Sequence, residues 1–279
     1  MADTVLVACC QLAPRIGELE ANRALAHDAI VDAADRGARV VVLPELMNSG
    51  YVFEGLDEAQ ALAEPIDGGP AVGDWTRLAH ERGLVIVGGV CEREGETLWN
   101  TAVIVDPSGL RAAYRKAHLW DREGHVFCAG DGPPPVVDTA YGRIGVVVCY
   151  DLEFPEWMRL PAFAGAELVC APVNWPREPR PPGERPQEVV RVQASASVNR
   201  MFIAVADRVG RERGVDWVGG SVIVDPAGFP VAGPAGDEET VTVLANCQLA
   251  QAREKRISPH NDVLGDRRPE LYGQVANTL

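Results

Sequence analysis

The chain repeats itself in short segments, and this internal repeat constrains the fold more than any other feature of the sequence. The segment GARVVVLPEL at 37–46 returns as GAELVCAPVN at 165–174. TAVIVDPSG at 101–109 returns as GSVIVDPAG at 220–228, and GLVIVGG matches MFIAVAD more loosely. Because the offsets between the copies are similar, we predict that the chain consists of two related halves of one unit.

Strand-like apolar runs alternate with helix-like segments within the halves. TVLVACCQLA is rich in β-forming residues, and the following segment places four alanines and Ile30 on one helical face. ARVVVLPE, a helix around Trp75 to Arg82 and GLVIVGGV come next. This alternation predicts an α/β protein whose helices cover sheets. Packed sheet to sheet, the two halves would form a four-layer α-β-β-α sandwich.

Composition excludes several classes of function. The 279 residues are 47% hydrophobic, which suffices for one large core or two small ones. The net charge of -14 disfavours nucleic acid as a partner. No segment approaches the roughly 20 apolar residues that span a bilayer, so we expect no membrane partner. The beginning, MADTVLVACC, lacks a basic segment and is interpreted as the start of a strand, not as a signal peptide.

The seven cysteines indicate a reducing compartment. Their number is odd, they form no CxxC pair, and most lie inside apolar runs. We therefore predict free thiols and a cytoplasmic location. Cys9 and Cys10 would face opposite sides of a strand, so at least one of them belongs to the core.

Cys149 differs from the other cysteines in its surroundings. In GRIGVVVCYDLEFPE the thiol stands where an apolar run stops, and Pro155 suits the first turn of a helix that follows. Backbone N–H groups at such a strand-to-helix turn are expected to lower the pKa of a thiol and to bind an oxyanion. The residues alone leave two interpretations open, a buried core cysteine and a nucleophile.

An acid and a lysine are further candidates for chemistry. Glu45 follows a buried strand directly, and its counterpart in the second half is Val173, so the repeat does not require an acid there. Lys116 lies in YRKAHLWDREGHVF, close to Asp121 and Glu123. The alternatives are a strand-end acid turned to solvent and a solvated surface lysine. If these groups meet, a carboxylate can take the thiol proton and a lysine can balance an oxyanion.

Other catalytic arrangements find little support in the sequence. His118, His125 and Cys128 fit no standard zinc spacing, and no second cluster of ligands accompanies them. No GxSxG motif is present for a serine nucleophile. We therefore expect no metal, and chemistry by a thiol, a carboxylate and a lysine implies no organic cofactor.

In these motifs the sequence resembles the nitrilase superfamily, the carbon–nitrogen hydrolases, over almost its whole length. The motifs are LPE with Glu45, YRKAHL with Lys116 and CYDLEFPE with Cys149. The resemblance implies the α-β-β-α fold, Glu45 as general base, Lys116 as oxyanion stabiliser and Cys149 as nucleophile. It further implies that the Tyr150 N–H completes the oxyanion hole and that Glu123 is an additional glutamate that positions substrate.

Details of the motifs favour the amidase branch. Nitrile-cleaving members typically have Cys-Trp-Glu at the nucleophile, and this chain has Cys-Tyr-Asp. Carbamoylases often place an arginine soon after the cysteine, where this chain has Leu152 to Phe154. The resemblance thus implies one domain over 1–279, a thioester intermediate, and release of a carboxylic acid and ammonia. N-carbamoyl or nitrile hydrolysis by the same three residues, and a catalytically silent binding protein, remain alternatives.

A small primary carboxamide with a neutral or amine-bearing tail is the predicted substrate. Acids outnumber bases in the candidate motifs, which disfavours a substrate carboxylate. The competing view is that Arg177 or Arg180, from the proline-rich loop, grips a carboxylate. The predicted substrate-binding residues follow strand ends and supply aromatic walls. They are Tyr51, Trp120, Tyr150, Asn174 and Trp175.

The segment FPEWMRLPAF predicts self-association. Trp157, Met158, Leu160 and Phe163 offer more apolar surface than one inner helical face uses. Superfamily members pair through this helix, so the resemblance also implies a homodimer or a higher homo-oligomer. From about Ser258 the periodicity is lost, and we expect an extended C-terminal tail.

Overall fold

Two six-stranded sheets form the centre of the computed structural model, which describes residues 4–237 and 239–273. The strands are β1 Val5–Gln11, β2 Val40–Val42, β3 Val85–Glu94, β4 Thr97–Asp106, β5 Gly109–Arg115, β6 Val136–Thr139, β7 Gly142–Val146, β8 Leu168–Pro172, β9 Phe202–Ala206, β10 Arg211–Glu212, β11 Val215–Asp216, β12 Val222–Val224, β13 Pro230–Ala232, β14 Val241–Cys247, β15 Arg256–Ser258 and β16 Asn261–Asp262. The helices are α1 Leu19–Asp35, α2 Leu56–Leu62, α3 Pro70–Arg82, α4 Pro155–Phe163, α5 Gln187–Asn199 and α6 Pro269–Tyr272. Short 3-10 helices span Asp121–His125, Cys149–Glu153 and Leu249–Arg253.

The two sheets have the same internal plan. Their strand orders are β14-β1-β2-β3-β4-β5 and β6-β7-β8-β9-β12-β13. In each sheet three parallel strands are followed by two antiparallel ones, and an antiparallel strand closes the other edge. This plan confirms the two related halves. One detail differs from expectation, because β14 comes from the C-terminal part of the chain and completes the first sheet.

The central strands are buried on both faces, and in the first half their successive side chains alternate between two apolar clusters. Val7 and Cys9 of β1 lie in the core between the sheets, whereas Ala8 and Cys10 lie in the core beneath the helices of the first half. Helices α1 and α3 cover the first sheet, and α4 and α5 cover the second. The layers are therefore helix, sheet, sheet and helix, as predicted.

Helix α4 begins with Pro155 in its first turn, as expected from the sequence. Its buried face consists of Met158, Pro161 and Ala162. Leu160 and Phe163 are 37% and 47% exposed, so part of the apolar surface of the helix faces outward in the single chain. The expected surplus of apolar surface is present.

The proline-rich loop NWPREPRPPGERPQ at 174–187 is exposed from Arg177 to Arg185. The extended tail expected from about Ser258 differs from what the structure describes. A small hairpin, β15 with β16, and the one-turn helix α6 occupy the segment up to Gly273, and the rest of the tail lies outside the described residues. None of the helices in the described ranges is long and apolar enough to cross a membrane.

Candidate active site

Cys149 lies at a sharp turn at the carboxyl end of the second sheet. Strand β7 ends at Val146, and Cys149 opens a 3-10 helix with a φ of 45°. A residue with a side chain rarely adopts this left-handed conformation, and such strain concentrates at functional sites. The thiol is 6% exposed, and its Sγ lies 3.8 Å from the backbone oxygen of Asn174. The predicted strand-to-helix turn is therefore present.

A buried cluster of charges stands at the matching edge of the first sheet. The ammonium of Lys116 lies 2.8 Å from Glu45 Oε1 and 2.8 Å from Glu123 Oε1. Asn100 Nδ2 donates to the same Glu45 oxygen at 2.7 Å. Lys116 and Glu45 have no exposed side-chain surface. The alternatives of a solvated lysine and a solvent-facing acid are thus wrong, and one cation is shared by two carboxylates inside the protein.

Burial and neighbouring charges fix the protonation of this cluster. Burial raises the pKa of Glu45, with a further contribution from Glu123 and an opposing one from Lys116. Burial alone would lower the pKa of Lys116, but the carboxylates of Glu123 and Glu45 outweigh it and hold the pKa well above its usual value. Lys116 therefore remains a cation.

The pKa of Cys149 contradicts the expectation from its position at the turn. Burial and the negative charge of Glu45 raise the pKa of the thiol well above its usual value, although Lys116 and the hydrogen bond to Asn174 act in the opposite direction. The predicted lowering is wrong because desolvation exceeds the effect of nearby donors. The free protein thus holds a neutral thiol, which needs a base before it can attack.

The backbone of Glu45 is fixed by a close approach to strand β3. Gly89 N donates to Pro44 O at 3.0 Å, and a Cβ at Gly89 would lie 2.5 Å from Glu45 Cα. From the second half, Asn174 Nδ2 donates to Glu45 O at 2.8 Å. The carboxylate oxygen Oε2 of Glu45 is buried without a hydrogen-bond partner among the described residues. This oxygen is available to accept a proton.

Asp151 joins the lysine segment to the cysteine turn, and the sequence reasoning assigned it no role. Its Oδ2 accepts hydrogen bonds from Val148 N at 3.0 Å and Tyr114 OH at 2.7 Å. Its Oδ1 lies 3.2 Å from His118 N and 2.7 Å from His118 Nδ1. The signal was present in the sequence, because Asp151 follows Cys149 by two residues.

Glu123 is the acid that reaches Lys116, and the neighbouring Asp121 lies exposed. Both oxygens of Glu123 have donors in the protein. Oε1 accepts from Lys116 and from Tyr51 OH at 2.7 Å, and Oε2 accepts from Trp120 N at 2.8 Å. Glu123 therefore orients Lys116 and fixes its own loop.

The five predicted substrate-binding residues divide into two groups. Tyr51 and Trp120 line a cavity of about 250 Å³, and Tyr150 packs edge-on against Trp120 at 4.9 Å between ring centres. Asn174 and Trp175 are buried, and Trp175 belongs to the apolar cluster that includes the second sheet. Asn174 contacts Glu45 and Cys149 and is thus part of the site, whereas Trp175 is a packing residue.

Besides Asp151, the predictions from the sequence did not include Trp217 and Asn100. Trp217 lines the cavity beside Phe127, although its sequence position before β12 gave no sign of this. Asn100, which bonds Glu45, had a detectable signal. Continuing the repeat by one residue aligns Asn100 with Gly219, the same kind of difference that marked Glu45 against Val173.

The residues that were considered as zinc ligands serve elsewhere. His118 is bonded to Asp151, His125 lies at the cavity, and Cys128 is exposed. Across residues 4–237 and 239–273, no group of three or more histidine, cysteine or acidic side chains is arranged to hold a metal ion.

A four-layer sandwich with a thiol, an ammonium and two carboxylates gathered where its two sheets meet defines an α/β enzyme of the hydrolase class. Residues 6–257 match the model of the carbon-nitrogen hydrolase family, and the chain belongs to this family, in the amidase branch of the nitrilase superfamily. Its members hydrolyse carbon–nitrogen bonds other than peptide bonds.

Comparison with known proteins gives relatives of nearly equal length. The chain is 37% identical to a protein named nitrilase from Pyrococcus abyssi, over 96% of this chain and 99% of that one. It is 31% identical to an N-carbamoylputrescine amidase of Solanum lycopersicum, over 91% and 89% of the two chains. A solved structure of an amidase double mutant from Nesterenkonia sp. AN1, in complex with acrylamide, is 28% identical with a TM-score of 0.80, covering 100% of this chain and 98% of that one.

Proposed function

We propose that the protein is a thiol amidase that hydrolyses small primary carboxamides to the carboxylic acid and ammonia. The observation that carries the proposal is the buried Lys116 ammonium held 2.8 Å from both Glu45 and Glu123. A cation and two carboxylates are costly to bury, and replacing such groups by apolar residues is often neutral or stabilising. We therefore assign this cluster to chemistry at the neighbouring Cys149.

In the first step Glu45 takes the proton of the Cys149 thiol as the sulfur attacks the amide carbon. The pKa of both groups is raised, so the proton passes from a poor acid to a base strengthened by burial. The carbonyl oxygen becomes negative and is stabilised by Lys116 and by the N–H of Tyr150. The first amides of the 3-10 helix that opens at Cys149 lack acceptors within that helix.

In the second step the tetrahedral intermediate expels ammonia, which takes its proton from Glu45 and leaves an acyl thioester on Cys149. Glu45, again a carboxylate, removes a proton from a water molecule that attacks the thioester carbon. Collapse of this second intermediate breaks the carbon–sulfur bond and releases the acid, and the proton on Glu45 returns to sulfur. Atoms and charges balance without a metal or an organic cofactor.

Cys149, Glu45 and Lys116 do not line the cavity, which meets their cluster through Glu123 and Tyr51. Its lining supports an uncharged or amine-bearing tail. Five aromatic side chains line it, namely Tyr51, Phe53, Trp120, Phe127 and Trp217. Arg177 is paired with Asp237, and Arg180 is exposed in its loop, so neither lines this cavity. Arg122 does line it, but Glu54 and Asp121 do so as well. A substrate carboxylate would thus meet more negative than positive charge.

The names of the relatives favour a second candidate function, the hydrolysis of a nitrile or of an N-carbamoyl compound. One is a nitrilase and another an N-carbamoylputrescine amidase, and the same three residues suffice chemically for either reaction. The test is a panel of small amides, N-carbamoyl compounds and nitriles, with ammonia as the product measured. We expect the highest kcat/KM for a small amide. A higher value for a carbamoyl compound or a nitrile would refute the amidase assignment, and no ammonia from any of them would indicate a silent binding protein.

We also propose that the protein forms a homodimer or a larger homo-oligomer, in a cytoplasmic setting. The exposed apolar residues Leu160 and Phe163 of α4 lie on the same side of the second sheet as Val198 of α5, which is 49% exposed. Covering this surface would stabilise a pair of chains. Light scattering at micromolar concentration tests this, and a mass near the 30.0 kDa of one chain would contradict it.

A further inference from the structure

Glu212 is a buried carboxylate that the proposed chemistry does not use. Its side chain accepts three backbone N–H groups, from Ile16 at 3.0 Å, Tyr51 at 2.9 Å and Val52 at 2.8 Å. It also accepts two bonds from the guanidinium of Arg208, each 3.0 Å long. Five donors on two oxygens make this the most heavily bonded carboxylate among the described residues.

The donors to Glu212 come from both halves of the molecule. Ile16 follows β1, and Tyr51 and Val52 belong to the loop that follows β2 and Glu45. Arg208 comes from the second half, is 2% exposed, and also donates to Pro14 O at 2.7 Å. The Arg208–Glu212 pair therefore ties two loops of the first half to the segment between β9 and β12.

The pair also reaches the cavity wall by direct contacts. The guanidinium of Arg208 lies 4.5 Å from the ring centre of Trp217, over its face. Trp217 in turn meets Tyr51 edge-on at 5.4 Å between ring centres. Both rings line the cavity, and Tyr51 OH bonds Glu123. One buried ion pair thus contacts one aromatic wall through its arginine and the backbone of the other through its glutamate.

We propose that Arg208 and Glu212 are positioning residues that hold Tyr51 and Trp217 in place and so set the size of the amide tail that the site admits. The inference rests on the proposed amidase function, since it concerns the specificity of the same site. Both residues act through their neighbours, and neither lines the cavity. A displacement of about 1 Å in such a support is enough to change rates strongly.

Substitution at Glu212 acts through hydrogen bonding. In Glu212→Gln one of the two acceptor oxygens becomes an NH₂ group. In either orientation of the amide, this NH₂ group faces at least one backbone N–H and the guanidinium of Arg208. The loop with Tyr51 and the guanidinium under Trp217 can no longer both be held. Arg208→Lys keeps the positive charge but loses the paired bonds to Glu212 and the planar stacking on Trp217. Asp106→Asn is the matched control, because Asp106 also accepts a backbone N–H, from Ser108, and pairs with an arginine, Arg111, but none of these residues lines the cavity.

The experiment compares a small and a bulky probe in each variant. The first readout is the ratio of kcat/KM for acetamide and 3-phenylpropanamide. The second is the ratio of alkylation rates of Cys149 by iodoacetamide and by its N-benzyl derivative, followed by peptide mass spectrometry. We expect both ratios to change at least about tenfold in Glu212→Gln and Arg208→Lys, a typical scale for a change in pocket contacts. The control should retain the wild-type ratios.

The outcomes separate positioning from general stability and from the proposed function. If both probes slow by the same factor, the pair only stabilises the fold and the inference is wrong. If Glu212→Gln does not fold, Arg208→Lys decides in the same way. Alkylation requires no turnover, so a wild type that releases no ammonia would refute the amidase function while the alkylation ratios still test the positioning role.

Discussion

The ends of strands β2 and β8 occupy equivalent places in the two halves and carry opposite chemistry. Pro44 and Pro172 match in the repeat, and the next residues are Glu45 and Val173. Both side chains are fully buried, one with a lysine and the other in an apolar cluster. The second half shows that this backbone needs no charge at that position, so Glu45 is explained by chemistry and not by folding.

In each half a residue of the neighbouring strand, or just after it, holds the turn that follows the strand end, but the two residues do so in different ways. In the first half Gly89 of β3 has no side chain, and the backbone of Glu45 packs directly against it. The equivalent residue after β9 is Asp207, whose carboxylate accepts the N–H of Trp175 at 3.0 Å. Gly89 allows the backbone of the turn to approach because it has no side chain, whereas Asp207 holds the turn by a hydrogen bond from its side chain.

The largest expected effect tests the cysteine turn of the second half. The pairing registers of β1 and β7 place Leu12 at the position equivalent to Cys149, so only one half has a thiol there. Cys149→Ala should lower kcat by about 10⁴-fold or more, because the nucleophile is lost, and should destabilise the fold by less than about 2 kcal/mol. Ammonia release and urea unfolding are the measurements.

The control is the exposed thiol Cys128, whose replacement by alanine should leave kcat unchanged. Iodoacetamide is itself a carboxamide and should bind where Glu45 can deprotonate the Cys149 thiol. It should therefore label Cys149 ahead of the other cysteines, although this thiol is neutral in the free protein. Full activity of protein that mass spectrometry shows to be alkylated at Cys149 would contradict the nucleophile.

The next effect contrasts Glu45 with Val173. Glu45→Gln and Lys116→Ala should each lower kcat at least ~100-fold, the usual scale for losing a base or an oxyanion donor. Val173→Ala should instead cost about 2 kcal/mol of stability and leave kcat unchanged. Steady-state kinetics and urea unfolding of the same samples decide. Equal losses of kcat in Glu45→Gln and Val173→Ala would remove the distinction between the two strand ends.

A smaller effect is expected at Gly89. The Cβ of Gly89→Ala would lie 2.5 Å from both Glu45 Cα and Leu46 N, so the turn must shift and carry the carboxylate with it. We expect kcat to fall about tenfold or more, because misplacement of a catalytic group is costly. Gly73→Ala, on an open surface of α3, should leave kcat unchanged and stabilise the helix by up to about 1 kcal/mol. A Gly89→Ala variant with wild-type kcat would show that the close approach is irrelevant.

The smallest expected effect is a pH dependence confined to the second half. Burial raises the pKa of Asp207 from 3.8 to about 7. Between these values the folded protein binds a proton that the unfolded chain has released, so the free energy of unfolding falls as pH rises through that window. Asp207→Asn should flatten this fall when urea unfolding is compared at pH 5 and pH 8. Parallel pH profiles of the two proteins would contradict the assignment.

The repeat explains why the layered fold was predictable from the sequence. Segments that occur twice in the sequence indicate strands with equivalent places in two sheets. The difference between Glu45 and Val173 at equivalent positions indicates the site from the sequence alone. The placement of β14 in the first sheet was not predictable in this way. That strand crosses from the second half of the chain and lies outside the repeated segments.

Properties that depend on the folded surroundings were harder to predict. The pKa of Cys149 was expected to be lowered by nearby N–H groups, but burial and the charge of Glu45 decide its direction. Trp175 and Trp217 both lie near strand ends, and only the path of the chain places the first in the core and the second at the cavity. The local sequence shows which side chain is present, but whether that side chain is exposed to water depends on segments that are distant in the sequence.

The neutral Cys149 thiol also affects how fast oxidants are expected to inactivate the protein. Peroxide attacks thiolates, not thiols, and the first product on this path is a sulfenic acid. Cys149 keeps its proton in the free protein and is 6% exposed, so it is a poor target for peroxide. The exposed Cys128 meets the oxidant first. We therefore expect the burial that makes the nucleophile depend on a base also to slow oxidative inactivation of the resting protein.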